Sequence, residues 1–142
     1  MHLDELQLRD VPMRHFVLED DPTRIHIFQE YFASKGWTDA VFHDNVNDFM
    51  QALETFRDDA IPHEKRVGAL LHLDHDLNGR VMVDPSSENC GSEVIRRMLE
   101  HDADHYMPMA IVIHSWNNVA ALWMASALEP TKIPTVILPF QA

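Results

Sequence analysis

One cysteine, Cys90, leaves no intramolecular disulfide to be formed, and four glycines leave no glycine-rich repeat or linker. No apolar run approaches the roughly 20 residues a helix needs to cross a bilayer, and no charged-then-apolar leader opens the chain. A reducing, cytoplasmic setting without a membrane partner is the expectation. Basic residues are scarce as well: 11 Lys plus Arg stand against 23 Asp plus Glu, a formal net charge of -12. A surface of that sign repels a phosphate backbone, so long duplex nucleic acid is not an expected partner. A small phosphorylated ligand, or a nucleic-acid end, stays compatible with it if a divalent cation and a few local donors offset the charge. The chain is rich in apolar residues, at 46% of its 142, and it carries ten histidines. That length and apolar content fit one packed domain; the expected organisation is an extension over residues 1–13 followed by the domain over 14–142. Oligomeric state is not legible.

Short apolar runs alternate with amphipathic segments, the pattern of βαβ units. His15-Phe16-Val17-Leu18 reads as a first strand, ending in Glu19-Asp20-Asp21-Pro22 and followed by a helix with Ile25, Phe28 and Phe32 that stops at Gly36. A short strand at Ala40-Val41-Phe42 precedes a helix whose apolar face is Val46, Phe49, Met50, Leu53 and Phe56, closed by Pro62. Gly68-Ala69-Leu70-Leu71-His72-Leu73 is apolar except for His72, as a central strand covered on both faces should be, and it ends in Asp74-His75-Asp76. After a loop from Asn78 to Glu88, Ser86 or Ser87 is placed to cap a third helix carrying Val94, Ile95, Met98 and Leu99. Ala110-Ile111-Val112-Ile113 is a fourth strand leading into His114-Ser115-Trp116-Asn117 and a helix with Val119, Leu122, Trp123, Met124 and Leu128; Thr135-Val136-Ile137-Leu138 is the last strand. The predicted fold is α/β: a flavodoxin-like (receiver-like) three-layer sandwich around a five-stranded parallel sheet of order 2-1-3-4-5.

Such sheets bind ligands outside the carboxyl ends of their strands, and there the polar residues gather. Glu19, Asp20 and Asp21 follow the first strand, Asp74 and Asp76 the third, His114 and Ser115 the fourth. Carboxylates brought together raise one another's pKa and are stabilised by a hard cation, Mg²⁺, Mn²⁺ or Ca²⁺; a nearby imidazole widens the choice to Mn²⁺, Fe²⁺ or Zn²⁺. His75 and His114 each abut a strand end and are candidate general acids or bases, whereas His72 reads as a core histidine satisfied by a local hydrogen bond. Ser115 and Asn117 suit a helix cap and a phosphate donor equally. Asn89, Cys90, Gly91 and Ser92 offer backbone amides to an anion at the start of the third helix. Cys90 has no base beside it in sequence and reads as structural. Trp37, Trp116 and Trp123 read as core or groove residues. There is no Cys-x-x-Cys pair, and His43, His63, His101 and His105 read as isolated, so a structural zinc site is not expected.

Phe16-Val17-Leu18-Glu19-Asp20-Asp21-Pro22 resembles the opening of a two-component receiver domain. In that resemblance Asp74 aligns with the phosphoacceptor, Ser115 with the Ser or Thr that receivers keep, and Asp76 with the position whose carbonyl completes a Mg²⁺ shell. The lysine that receivers place after their fifth strand is replaced by Leu138-Pro139-Phe140, and Lys132 comes too early. Leu73-Asp74-His75-Asp76-Leu77 and His114-Ser115-x-Asn117 make the chain more similar to the cyclic-phosphate processing receiver domain family. The resemblance implies processing of phosphoesters, including cyclic phosphates of nucleotides or RNA ends, with Mg or Mn as the metal. The expected assignment is Glu19, Asp20 and Asp74 for the metal, His75, His114 and Asp76 for catalysis, and Ser115 and Asn117 for the substrate. Either Glu19-Asp20 or Asp20-Asp21 is the working acidic pair.

Overall fold

The computed structural model describes residues 13–59, 68–77, 84, 86–101, 103–106 and 108–138. Most of the expected extension, the stop at Pro62, His63 and much of the Asn78–Glu88 loop lie outside them. In chain order the elements are β1 (Met13–Leu18), α1 (Pro22–Ser34), β2 (Ala40–His43), α2 (Val46–Asp59) and β3 (Gly68–Leu73). They continue with α3 (Gly91–Glu100), β4 (Pro108–Ile113), α4 (Asn118–Leu128) and β5 (Thr135–Ile137). The sheet has the order β2-β1-β3-β4-β5 with every pairing parallel, the receiver-like flavodoxin arrangement. Among the described residues no helix is long and apolar enough to cross a membrane.

Strand β3 takes the central place, between β1 and β4, and all six of its residues are buried. On one face, Leu71 and Leu73 of β3 and Phe16 and Leu18 of β1 pack with Val46, Phe49, Leu53, Val94, Ile95, Met98, Met124 and Leu128, so α2, α3 and α4 share that layer. On the other, Val17 packs against Phe28 and Phe32 of α1. Helix α1 begins where Asp21 accepts from the amides of Thr23 and Arg24 (2.8 and 3.2 Å) with Pro22 in the first turn, and the chain leaves it through Gly36 at φ 72°. An added Cβ on Gly36 would meet nothing within 4 Å, so backbone conformation alone accounts for the glycine.

Two helices differ from expectation. In α4 the core face is Ala120, Ala121, Met124 and Leu128, whereas Val119, Leu122 and Trp123 are exposed, as is Trp116 before it. The helix is apolar all round, so its pattern does not mark the inward stripe. Helix α3 is capped by neither Ser86 nor Ser87: it starts at Gly91 after Cys90, and Ser86 instead turns its amide and hydroxyl onto Asp84 (2.8 and 2.6 Å). Leu99 lies on its exposed side. Trp37 is half-buried and stacks on His15, with ring centroids 4.6 Å apart.

Leu71 is fully buried at the middle of β3 between β1 and β4. Leu71→Ala should therefore cost about 2–5 kcal/mol of unfolding free energy, read from urea denaturation midpoints.

Candidate metal centre

Parallel strands finish at one edge, and here the backbone ladder runs one residue past three of them. The Glu19 amide donates to the His43 carbonyl (3.0 Å), Asp74 to Leu18 (3.1 Å) and His114 to Leu73 (2.9 Å). The three side chains that follow β1, β3 and β4 thus stand on fixed backbone, side by side. All three are buried, and each offers a donor atom within 4.8 Å of the others. The His114 Nε2 to Glu19 Oε2 distance is 2.8 Å, and Glu19 Oε1 accepts from the amides of Asp20 and Asp21 (3.2 and 3.1 Å). Asp74 Oδ1 accepts from the His75 amide at 2.8 Å. Arg24, one turn into α1, brings its Nη1 to 3.4 Å from Asp74 Oδ2 and 3.6 Å from Glu19 Oε1.

Two buried carboxylates so close raise the question of which ionises. Asp74 is pushed up to about 8, by burial first and by the Glu19 carboxylate next; Arg24 and the His75 amide oppose the rise, and Asp76 adds to it. At neutral pH the pair is therefore short of a full complement of negative charge unless a cation takes the place of the Asp74 proton. Two carboxylates and one imidazole within this radius suit a small divalent ion with oxygen and nitrogen ligands. The Nδ1 atom of His114 is buried without a hydrogen-bond partner.

A model of the cyclic-phosphate processing receiver domain family matches residues 9–130, from before β1 to beyond α4. The chain belongs to this family. No curated protein matches it.

In this family member the expected site residues separate into two groups. Glu19, Asp74 and His114 meet. Asp20 is half-buried beside them but outside the cluster of three, and Asp21 caps α1, so of the two possible acidic pairs Glu19-Asp20 is the one with a member in the cluster. Asp76 accepts from Asn117 Nδ2 at 3.3 Å, which ties the loop after β3 to the start of α4. Asn117 also caps α4 through Oδ1 and the Ala120 amide (3.1 Å), and its own amide donates to Ser115 Oγ (3.0 Å). The capping role is thus present at both Ser115 and Asn117.

His75 does not face the ligand edge as expected. It is fully buried, and its Nδ1 meets the Ser92 hydroxyl at 3.0 Å and the Ser92 amide at 3.3 Å. Gly91 donates its amide to the His75 carbonyl at 3.1 Å. The first amides of α3, read above as a place for an anion, are thereby occupied by His75. A Cβ on Gly91 would lie 2.1 Å from the Asp74 carbonyl oxygen, so only glycine lets α3 approach the end of β3 this closely.

Sequence reasoning missed Arg24 and His15. The signal for Arg24 was a lone base in the first turn after an acidic strand end. His15 lies on the α1 face of the sheet with His72, His15 Nδ1 being 3.0 Å from His72 Nε2. His72 is the core histidine expected, but its contact is to His15 on the neighbouring strand rather than local, and its Nδ1 has no partner. Burial holds His15 down to about 4, against a smaller upward pull from Asp39. Burial, with His15 and His114 nearby, holds His72 well below the usual histidine range. His101 and His105, read as isolated, stand four apart, and their rings stack at 5.2 Å; among the described residues no third metal ligand joins them.

A free Asp titrates near 3.8 and folded Asp74 near 8, so between those values the folded chain keeps a proton that the unfolded chain has lost. The stability tied to this group is fully present below about pH 4 and is lost as the pH rises toward 8. In metal-free protein, Asp74→Asn should gain on the wild type in urea-unfolding free energy across that window; a pH-independent difference would contradict the assignment. Gly91→Ala should destabilise by at least about 1–3 kcal/mol, seen as a lowered thermal midpoint.

Proposed function

We propose that this domain is a metal-dependent phosphoesterase acting on a terminal or cyclic phosphate of a small phosphorylated ligand, a nucleotide or an RNA end. The observation that carries the reading is the buried trio Glu19, Asp74 and His114, within 4.8 Å at the ligand-binding edge of a cyclic-phosphate processing receiver domain. Glu19 and Asp74, with Asp20 at the margin, hold a Mg²⁺ or Mn²⁺ ion. Such an ion polarises phosphoryl oxygens and lowers the pKa of bound water. His114 is oriented by its contact with Glu19 and supplies the imidazole through which a proton passes. Asp76 fixes the Asn117 carboxamide, which with the Ser115 hydroxyl supplies neutral donors to the phosphate. His75 acts from beneath, holding the Asp74 loop on α3.

A second reading, a receiver-like module that binds without turning over, is favoured by Leu138 directly after β5, where receivers carry their lysine. One experiment separates them. Calorimetric titration with Mn²⁺ and Mg²⁺ should show uptake by the wild type and none by Asp74→Asn. A panel of cyclic and linear phosphoesters should then give ring-opened product or free phosphate with the loaded wild type alone. Metal uptake with no turnover across the panel favours the binding module, and hydrolysis retained by Asp74→Asn refutes the metal scheme.

A further inference from the structure

An acidic pocket that receives a phosphate needs positive charge from two directions: toward its own carboxylates and toward the incoming anion. The fold restricts where the second charge comes from. Lys132 precedes β5, so the parallel sheet puts it at the amino edge, opposite the centre, and Leu138 follows β5 at the carboxyl edge. Among the described residues Arg24 is the arginine or lysine within 4 Å of the cluster carboxylates.

Its setting suits a group that changes partner. The backbone is pinned, because the Arg24 amide donates to the α1 cap Asp21 at 3.2 Å. The side chain is 31% exposed at the mouth, over carboxylates that are 0% and 3% exposed. Contacts of 3.4 and 3.6 Å are long against the roughly 2.7–2.9 Å of a seated charge-assisted hydrogen bond. Arg24 thus lies within ion-pair reach of two acids, at distances beyond those of a seated bond to either. A guanidinium is also the side chain best matched to two phosphate oxygens at once.

Building on the phosphoesterase reading, we propose that Arg24 is the anion-gripping residue of this site. It serves as counter-charge to Glu19 and Asp74 while no cation is held, and it turns to the phosphoryl oxygens once a divalent ion neutralises those carboxylates. Metal and arginine therefore compete for the same carboxylates but cooperate on the anion.

The test is two successive calorimetric titrations of the wild type, Arg24→Ala and Arg24→Lys, with thermal melts to check that each variant folds: Mn²⁺ first, then inorganic phosphate into Mn²⁺-loaded protein. Arg24→Ala should bind Mn²⁺ as tightly as the wild type or more tightly, because a competing cation is gone. Its phosphate affinity should fall about tenfold or more, the size expected for losing a charged donor, with partial recovery in Arg24→Lys. Phosphate affinity within about twofold of wild type in Arg24→Ala overturns the proposal, as does a parallel loss of Mn²⁺ affinity, which would make Arg24 only a wall of the metal pocket. Absence of Mn²⁺ uptake by the wild type sinks the phosphoesterase reading together with this one. Uptake with undiminished phosphate binding in Arg24→Ala sinks this one alone.

Discussion

Two carboxylates, Glu19 and Asp74, are held out of water next to each other, and most of the site follows from what that costs. The backbone of each is fixed by a hydrogen bond to the neighbouring strand. Isolated buried charges are too expensive to keep, so the protein answers locally. Backbone amides and His114 satisfy Glu19; Arg24 leans over both acids; Asp74 retains a proton up to about pH 8. Each answer is partial, and the divalent ion we propose is the partner that would complete them.

The layer below the cluster determines which answers are open. His15 and His72 sit under α1 among Phe28, Phe32 and Trp37, and burial keeps both neutral. A protonated imidazole there would have compensated the acids from inside, as a built-in counter-charge. With the floor uncharged, compensation has to arrive from the mouth, where Arg24 and the solvent are. This links a packing feature of the core to the chemistry at the edge.

The architecture was legible because parallel strands impose strong patterns. The run Gly68–Leu73, apolar but for His72, reads as a covered strand, and Val46, Phe49, Met50, Leu53 and Phe56 mark a single helix face that is buried throughout. Glu19, Asp74 and His114 could be brought together on paper because a parallel sheet collects every strand end at one edge. Three things escaped for physical reasons. His75 is one residue beyond Asp74, where strand alternation no longer dictates direction, and Ser92 decides it instead. The inward stripe of α4 cannot be read from a helix that is apolar on all sides; small Ala120 and Ala121 go inside and Trp123 stays out. Arg24 belongs to the site through the path of the α1 first turn, a three-dimensional fact with no periodic signature.

Local and global charge then act in one direction. A chain of net charge -12 repels anions at a distance and enriches divalent cations near its surface, so under the proposed metal-dependent reading a divalent ion would reach the acidic cluster ahead of a phosphate. Before it did, the carboxylates would face a phosphate with the Arg24 guanidinium, 3.6 and 3.4 Å from Glu19 and Asp74, between them. Once it did, the same carboxylates would be neutralised and would no longer need the guanidinium as their counter-charge. Under that reading, access of an anionic substrate would be conditional on the cation by electrostatics alone; the condition would reside in residues 19, 24 and 74, which the sheet edge keeps in one place.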